Sequence, residues 1–313
     1  MARSAYLRWL ASALGETAPV PPAGGRADAD MVLGYATGYG PAELEPFVRS
    51  LRAAFAGPAA LVVDERKDVR AFLEAHDVEA MTASPAGAWR PHPVVARFSA
   101  YAAILEARPD VRSVIITDVR DVIFQGDPFR EPADGLEFFI ENEDAVLAGH
   151  AFNMKHLRAL AGEALTDRIK GGACICVGVV AGPRVSVIQF CRLLLMLCAI
   201  PRSPVGGAFG ADQAACNLIA HLGLMPSRLQ GNYGRVATIG LTPADRLLIR
   251  DGRILNPDGG WSPVVHQYDR VGRLADHVAD RWGRGSTGRP PDRRPTATAR
   301  LQASVRRRLP EWR

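Results

Sequence analysis

No apolar run in this chain is long enough to cross a membrane. The most hydrophobic stretch, residues 185–200 (VSVIQFCRLLLMLCAI), is broken by Gln189 and Arg192. It falls short of the roughly 20 residues a span requires and reads as a buried helix. A targeting segment is lacking as well: AYLRWLASALG near the start is short and interrupted by Arg8, and a linker-like APVPPAGG follows. There is no disulfide framework. The five cysteines (174, 176, 191, 198 and 216) are odd in number, irregularly spaced and set in or beside apolar segments, the pattern of buried, reduced thiols in a cytoplasmic protein. Cys174-x-Cys176 has no second Cys/His pair at zinc spacing. No internal repeat is present.

Basic charge is scarce where most of the chain lies. The net charge is +5, yet residues 270–313 alone carry twelve arginines against four acids, so the first 269 residues are net acidic. The basicity belongs to a tail, which excludes a nucleic-acid-binding surface on the fold. Beyond about 275 the composition turns to Gly, Pro, Thr and Arg. Residues 284–313 have too few large apolar groups to offset their ordering entropy, and disorder is the expectation there. The resulting division is an extension and linker over 1–28, one domain over 29–275 with halves 29–130 and 131–275, and a basic tail over 276–313. A solubilising end is the simplest role for that tail; weak peripheral contact with an anionic membrane is the alternative.

What is present is alternation. ADMVLGY opens as a strand that runs into a glycine-rich turn, and PAELEPFVRSLRAAFAG follows as a helix with Pro41 in its first turn and Gly57 at its stop. AALVVDE, VEAMTA and VRSVIITDV read as strands; RKDVRAFLEAH and PVVARFSAYAAILEARP read as helices. In the latter, Val94, Phe98, Tyr101 and Leu105 recur at helical spacing. LEFFIE, CICVGVVAG and a late WSPVVHQYD add strands, and 185–199 and GADQAACNLIAHLG add helices. Strands alternating with helices predict an α/β fold around a mostly parallel sheet covered on both faces.

Within SVIITDVRDVIF, Asp118 and Asp121 leave the end of an apolar β-branched run. Ligands of open α/β sheets bind beyond the carboxyl ends of the strands. Two carboxylates there suit Mg²⁺ or Mn²⁺, and a histidine as third ligand shifts the preference toward Mn²⁺. The alternative is a capped turn with no chemistry. A phosphatase nucleophile fits poorly: its second acid belongs two residues on, not three, and VIF follows. A dinucleotide fold fits no better, because GYATGYG lacks a later glycine opening the helix.

Four stretches in order over about 30–270 resemble the GT-A glycosyltransferases, most closely the family 8 type and bacterial nucleotide-sugar transferases around it. VLGYATGYG is similar to the nucleotide-binding edge and nominates Ala36, Thr37 and Tyr39. ARFSAYAAILEARPDVRSVIITDVRD is similar to the arginine-bearing helix and the strand with the D-x-D metal motif, nominating Arg97, Asp118 and Asp121. CICVGVVAGP with GADQAACNLI resembles the Asn-x-Gly strand and Asp-Gln helix start that face the donor sugar, nominating Gly178, Asp212 and Gln213. PVVHQYD resembles the segment of the late metal histidine and nominates His266. Two departures stand out: the acidic pair is D-x-x-D, and Cys176 stands where the family often has asparagine.

The resemblance implies a GT-A, Rossmann-like single domain with a mixed sheet. It implies Mn²⁺ (or Mg²⁺) on Asp118, Asp121 and His266, and donor contacts from Ala36, Thr37, Tyr39, Arg97, Asp118 and Gly178. Asp212 and Gln213 would be catalytic, and the reaction would move a sugar, with retention, from a nucleotide-diphosphate donor (UDP favoured) to a glycan or small-molecule hydroxyl. Plainer roles exist for single residues: His266 as a bonded core histidine, Asp212 as a helix cap, Cys174 and Cys176 as core. Asn153, Lys155 and Lys170 are candidates for acceptor or diphosphate contacts, and the acidic EFFIENED (137–144) for the acceptor groove. Two other classes remain. A sugar-1-phosphate nucleotidyltransferase wants a basic, glycine-rich signature after the first strand, and ATGYGPAELEP has no basic residue. A non-catalytic sugar-nucleotide-binding protein has no need of a metal triad.

Overall fold

A computed structural model describes residues 29–82, 92–199 and 209–283. The expectations for 1–28 and for 284–313 lie outside the described residues.

The chain begins with β1 (Ala29–Tyr35), whose residues alternate between two cores. Met31 and Leu33 enter one hydrophobic cluster and Val32 the other. Helix α1 (Pro41–Ala54) follows; Glu43 accepts a 2.8 Å hydrogen bond from the Gly40 N–H, satisfying one donor of its first turn. Then come β2 (Ala59–Val63), α2 (Lys67–Glu74), β3 (Glu79–Thr82), α3 (Pro93–Glu106) and β4 (Val111–Thr117). β4 repeats the alternation, with Val114 and Ile116 on one face and Ile115 on the other. Both faces of the sheet are therefore covered, as near-continuous apolar strands require.

After β5 (Val122–Phe124) the order continues with β6 (Glu137–Val146), α4 (Ala151–Ala161), α5 (Glu163–Ile169), β7 (Ala173–Pro183), α6 (Arg184–Ala199) and α7 (Ala211–His221). The remaining elements are β8 (Arg228–Gln230), β9 (Val236–Thr238), β10 (Leu248–Arg250), β11 (Arg253–Leu255), β12 (Val264–His266) and α8 (Gly272–Trp282). A seven-stranded sheet runs β3-β2-β1-β4-β7-β6-β8. β1 is parallel to β2 and β4, whereas β7 is antiparallel to β4 and β6. The sheet is thus mixed, and the fold is α/β and Rossmann-like. A three-stranded sheet, β5-β12-β9, carries the late segments back beside the end of β4.

Three packed clusters hold these layers. α3, α6 and α7 cover one sheet face through Phe98, Tyr101, Leu105, Phe190, Leu194 and Leu218, while α1 and α2 cover the other through Leu44, Phe47, Leu51 and Leu73. The third gathers Ile123, Val265, Leu274 and Val278, with Trp282 packed against it. The domain boundary expected at 275 needs correction: it falls inside α8, whose buried Val278 and Ala279 belong to the packed domain. All five cysteines are free and buried, as expected. Among the described residues no helix is long and apolar enough to cross a membrane.

Candidate metal centre and surrounding cavity

β1 and β4 run parallel, so their carboxyl ends share one edge. A cavity of about 580 Å³ opens there. Nine of the ten nominated residues line it: Thr37, Tyr39, Arg97, Asp118, Asp121, Gly178, Asp212, Gln213 and His266. Ala36 does not. Its side chain is buried in the core under α1 and its N–H donates to Val62 O at 2.8 Å, because it still continues the strand geometry of β1.

The spacing of the two aspartates has a local cause. Between β4 and β5 the chain turns over residues 118–121; Val119 drops into the core and Arg120 points out to an ion pair with Asp269 at 3.1 Å. The two intervening residues go to opposite surroundings, so both carboxylates face the same space. Asp118 is further tied by its N–H, which donates to Gly178 O at 2.6 Å. His266 comes from the end of β12, paired to β5 through Val122, and reaches both acids. Its Nε2 is 3.6 Å from Asp118 Oδ2 and 3.7 Å from Asp121 Oδ1.

These distances are long for hydrogen bonds. They are close to the roughly 3–3.5 Å that separates donors each about 2.1 Å from one ion. The ligand atoms of Asp118, Asp121 and His266 all lie within 4.8 Å of one another. Gly178 supplies the clearance: a Cβ there would fall 2.3 Å from His266 Cε1 and 2.8 Å from Asp118 Oδ2. Two carboxylates and an imidazole in this arrangement form a possible metal-binding group.

Arg97, on α3 and only 8% exposed, joins the metal side to the helix side. One Nη contacts Asp118 and Nη2 lies 2.8 Å from Asp212 Oδ2. Asp212 is therefore not the cap of α7. Gly210 holds that position, and Asp212 stands in the first turn with its carboxylate on Arg97. Burial alone would lower the Arg97 pKa, but Asp118 and Asp212 carry it above its ordinary value. Burial would raise Asp118, and Arg97 with His266 holds it below the usual carboxylate range instead. Asp121 is raised by burial and by Asp118, against the pull of His266. His266 would be lowered by burial, yet it lies well above its ordinary value. Cys176 and the two carboxylates face it, and the Cys176 thiol is itself pushed up by burial and so neutral. The raise therefore comes from Asp121 and Asp118.

Gln213 is fixed by a buried polar cluster. Its Nε2 donates to Asn153 Oδ1 at 2.8 Å and to Glu141 Oε2 at 3.3 Å, while Asn217 Nδ2 donates to its carbonyl at 2.8 Å. Cys176 also lines the cavity; its Sγ lies 3.8 Å from His266 Nδ1, the ring nitrogen that does not face the carboxylates. Of the further candidates, Asn153 lines the cavity, and Lys155 and Lys170 do not. Within EFFIENED only Glu141 does. Sequence reasoning did not nominate Arg120, Arg270, Tyr35, Phe152, Phe209 or Gln267, all of which line it. For Arg270 a signal existed, since HQYDR places it four residues after His266.

A scan against protein-family models returns no match for this chain, and a search of curated proteins returns none either.

Proposed function

We propose that this protein is a metal-dependent glycosyltransferase of the GT-A type, moving a sugar from a nucleotide-diphosphate donor to an acceptor hydroxyl. The observation that carries the reading is the convergence of Asp118, Asp121 and His266, from one turn and one strand almost 150 residues apart in the chain, onto one cavity edge beside Arg97, Asp212 and Gln213. The strand order, with β7 antiparallel beside β4, agrees with a GT-A arrangement of the sheet.

Tyr35, Thr37 and Tyr39 at the end of β1 offer aromatic and hydroxyl groups to a base and ribose. Arg270 lines the cavity and presents positive charge to a diphosphate, with Arg120, paired to Asp269, also on the lining. Asp118, Asp121 and His266 would hold Mn²⁺ or, less favourably, Mg²⁺. Such an ion supplies Lewis-acid stabilisation of charge on the departing diphosphate. Arg97 keeps the Asp118 and Asp212 carboxylates in place, so that Asp212 is oriented rather than free to rotate. Gln213, clamped by Glu141 and Asn153, presents its amide to the donor sugar near the carbon where positive charge develops. Transfer with retention follows from the resemblance, and UDP is the favoured carrier.

The reading is tested by incubating purified protein and Mn²⁺ with several nucleotide sugars and measuring nucleoside diphosphate release. A nucleotidyltransferase would instead release pyrophosphate from a nucleoside triphosphate and a sugar 1-phosphate. A non-catalytic binder would release neither.

A further inference from the structure

The cavity has two chemically different sides. The triad side carries the lining cations Arg120 and Arg270. Another part of the lining is aromatic: Phe152, at the start of α4, and Phe209, just before α7, line the cavity while 47% and 62% exposed. Their ring centroids lie 5.9 Å apart at 61°. Phe209 also meets His92 edge-on at 6.1 Å, and Phe152 packs on His156 at 4.2 Å. Large apolar side chains are seldom left this open without a partner to cover them, and here they face a polar cavity.

The wall is built into the fold. Gly210 sits beneath it with φ +95°, and a Cβ there would come within 2.6 Å of Phe152 Cζ. Any other residue at 210 would strain the backbone and displace the ring. Glu141 stands on the floor of the same cavity. Its Oε2 receives the hydrogen bonds from Gln213 and Cys174, and Oε1 has no partner among the described residues. An exposed aromatic surface facing a carboxylate with a free oxygen suits a molecule with an apolar C–H face and hydroxyl donors on its edge.

Charge narrows the class. Arg97 is locked between Asp118 and Asp212, Arg120 is paired with Asp269, and the ring contacts of Phe152 and Phe209 among the described residues are with each other and with His156 and His92. Glu141 would repel an anion. From these observations we infer that Phe152, Phe209 and Glu141 form the acceptor subsite, and that its ligand is a neutral pyranoside stacked on the phenylalanines with a hydroxyl on Glu141. This assignment rests on the glycosyltransferase reading for its role in transfer, but not for the binding itself.

Saturation-transfer NMR tests it, with and without Mn²⁺ and a nucleoside diphosphate. The probes are neutral methyl hexopyranosides (glucosides, galactosides and mannosides), a methyl glucuronide and glucose 6-phosphate. At least one neutral pyranoside should bind with saturation concentrated on the C–H protons of one ring face, and the two anions should not. The Phe152→Ala/Phe209→Ala double variant should weaken that binding about tenfold or more, and Glu141→Gln should weaken it without removing the one-face pattern. Both phenylalanines are exposed, so unchanged thermal melts will show the fold is kept. Absence of neutral pyranoside binding to wild type, unchanged affinity in the double variant, or equal binding of the anions would each overturn the subsite. Failure of the nucleoside diphosphate to bind with Mn²⁺ would instead count against the glycosyltransferase reading, leaving a measured pyranoside site standing.

Discussion

Gly178 on β7 and His266 on β12 touch so closely that a methyl group between them would lie 2.3 Å from the imidazole Cε1. That contact sets the first expectation. Gly178→Ala should push the ring away from Asp118 and Asp121 and weaken Mn²⁺ binding about 10–100-fold, the range typical for residues that orient a ligand. Overpacking should cost about 1–3 kcal/mol of stability. Titration calorimetry with Mn²⁺, alongside denaturant unfolding of the apo protein, measures both.

Arg97 is buried against two carboxylates. Arg97→Met removes their shared cation, leaving Asp212 without a charge partner and Asp118 with His266 alone, which should cost about 3–5 kcal/mol. Urea unfolding at neutral pH reads this loss. It should shrink when Asp212→Asn is added, since one stranded charge is then gone.

The raised pKa of His266 gives metal binding a pH dependence of definite sign. In the apo protein the imidazolium is held by Asp121 and Asp118. Its contribution to stability is fully present below the unfolded value of about 6.5 and is lost as the pH rises through the higher folded value. An ion takes the neutral ring, so binding expels a proton and Mn²⁺ affinity should climb with pH through neutrality. Calorimetry in buffers of different ionisation enthalpy should show proton release. Affinity that falls or stays flat as pH rises would remove His266 from the ligand set.

Gln213 is oriented by Asn153 and Glu141 rather than by solvent. Gln213→Ala should lower kcat about 10²-fold while leaving nucleoside diphosphate affinity nearly unchanged, if its amide acts chiefly in the transition state. Equal losses in both would place it at the nucleotide instead.

The end of the domain can be found by truncation. Removing everything after 275 deletes Val278 from the third cluster, Trp282 packed against it and the buried Ala279, and should cost about 2–4 kcal/mol. Removing residues after 283 should leave the unfolding midpoint and the turnover of a small acceptor unchanged.

Much of the first half, residues 29–130, was legible in the sequence. β-branched strands with apolar residues on both faces, a proline-started α1 and the helical spacing of Phe98, Tyr101 and Leu105 announce their elements locally. Val94 differs: it takes the cavity rim, and Val95 fills the core position instead. The later half was harder to read because β8, β9, β10, β11 and β12 have three residues each, too few for a period to show. Helix α8 was obscured by the arginine-rich composition around it, although Leu274 and Val278 carry an i, i+4 apolar pair. At the site, Asp118, Asp121 and His266 were found by motif order. Glu141 was reached only as part of the acidic EFFIENED, and Phe152 and Phe209 were not, since their placement on the cavity depends on long-range pairing of β6 and packing of α4 on α7.

The central claim is tested most directly by nucleotide-sugar turnover with the metal removed and restored. Wild-type protein stripped with EDTA should release no nucleoside diphosphate, should recover with Mn²⁺ better than with Ca²⁺, and should not recover as Asp121→Asn. Full turnover in excess EDTA, or no turnover of any nucleotide sugar with Mn²⁺ present, would contradict it.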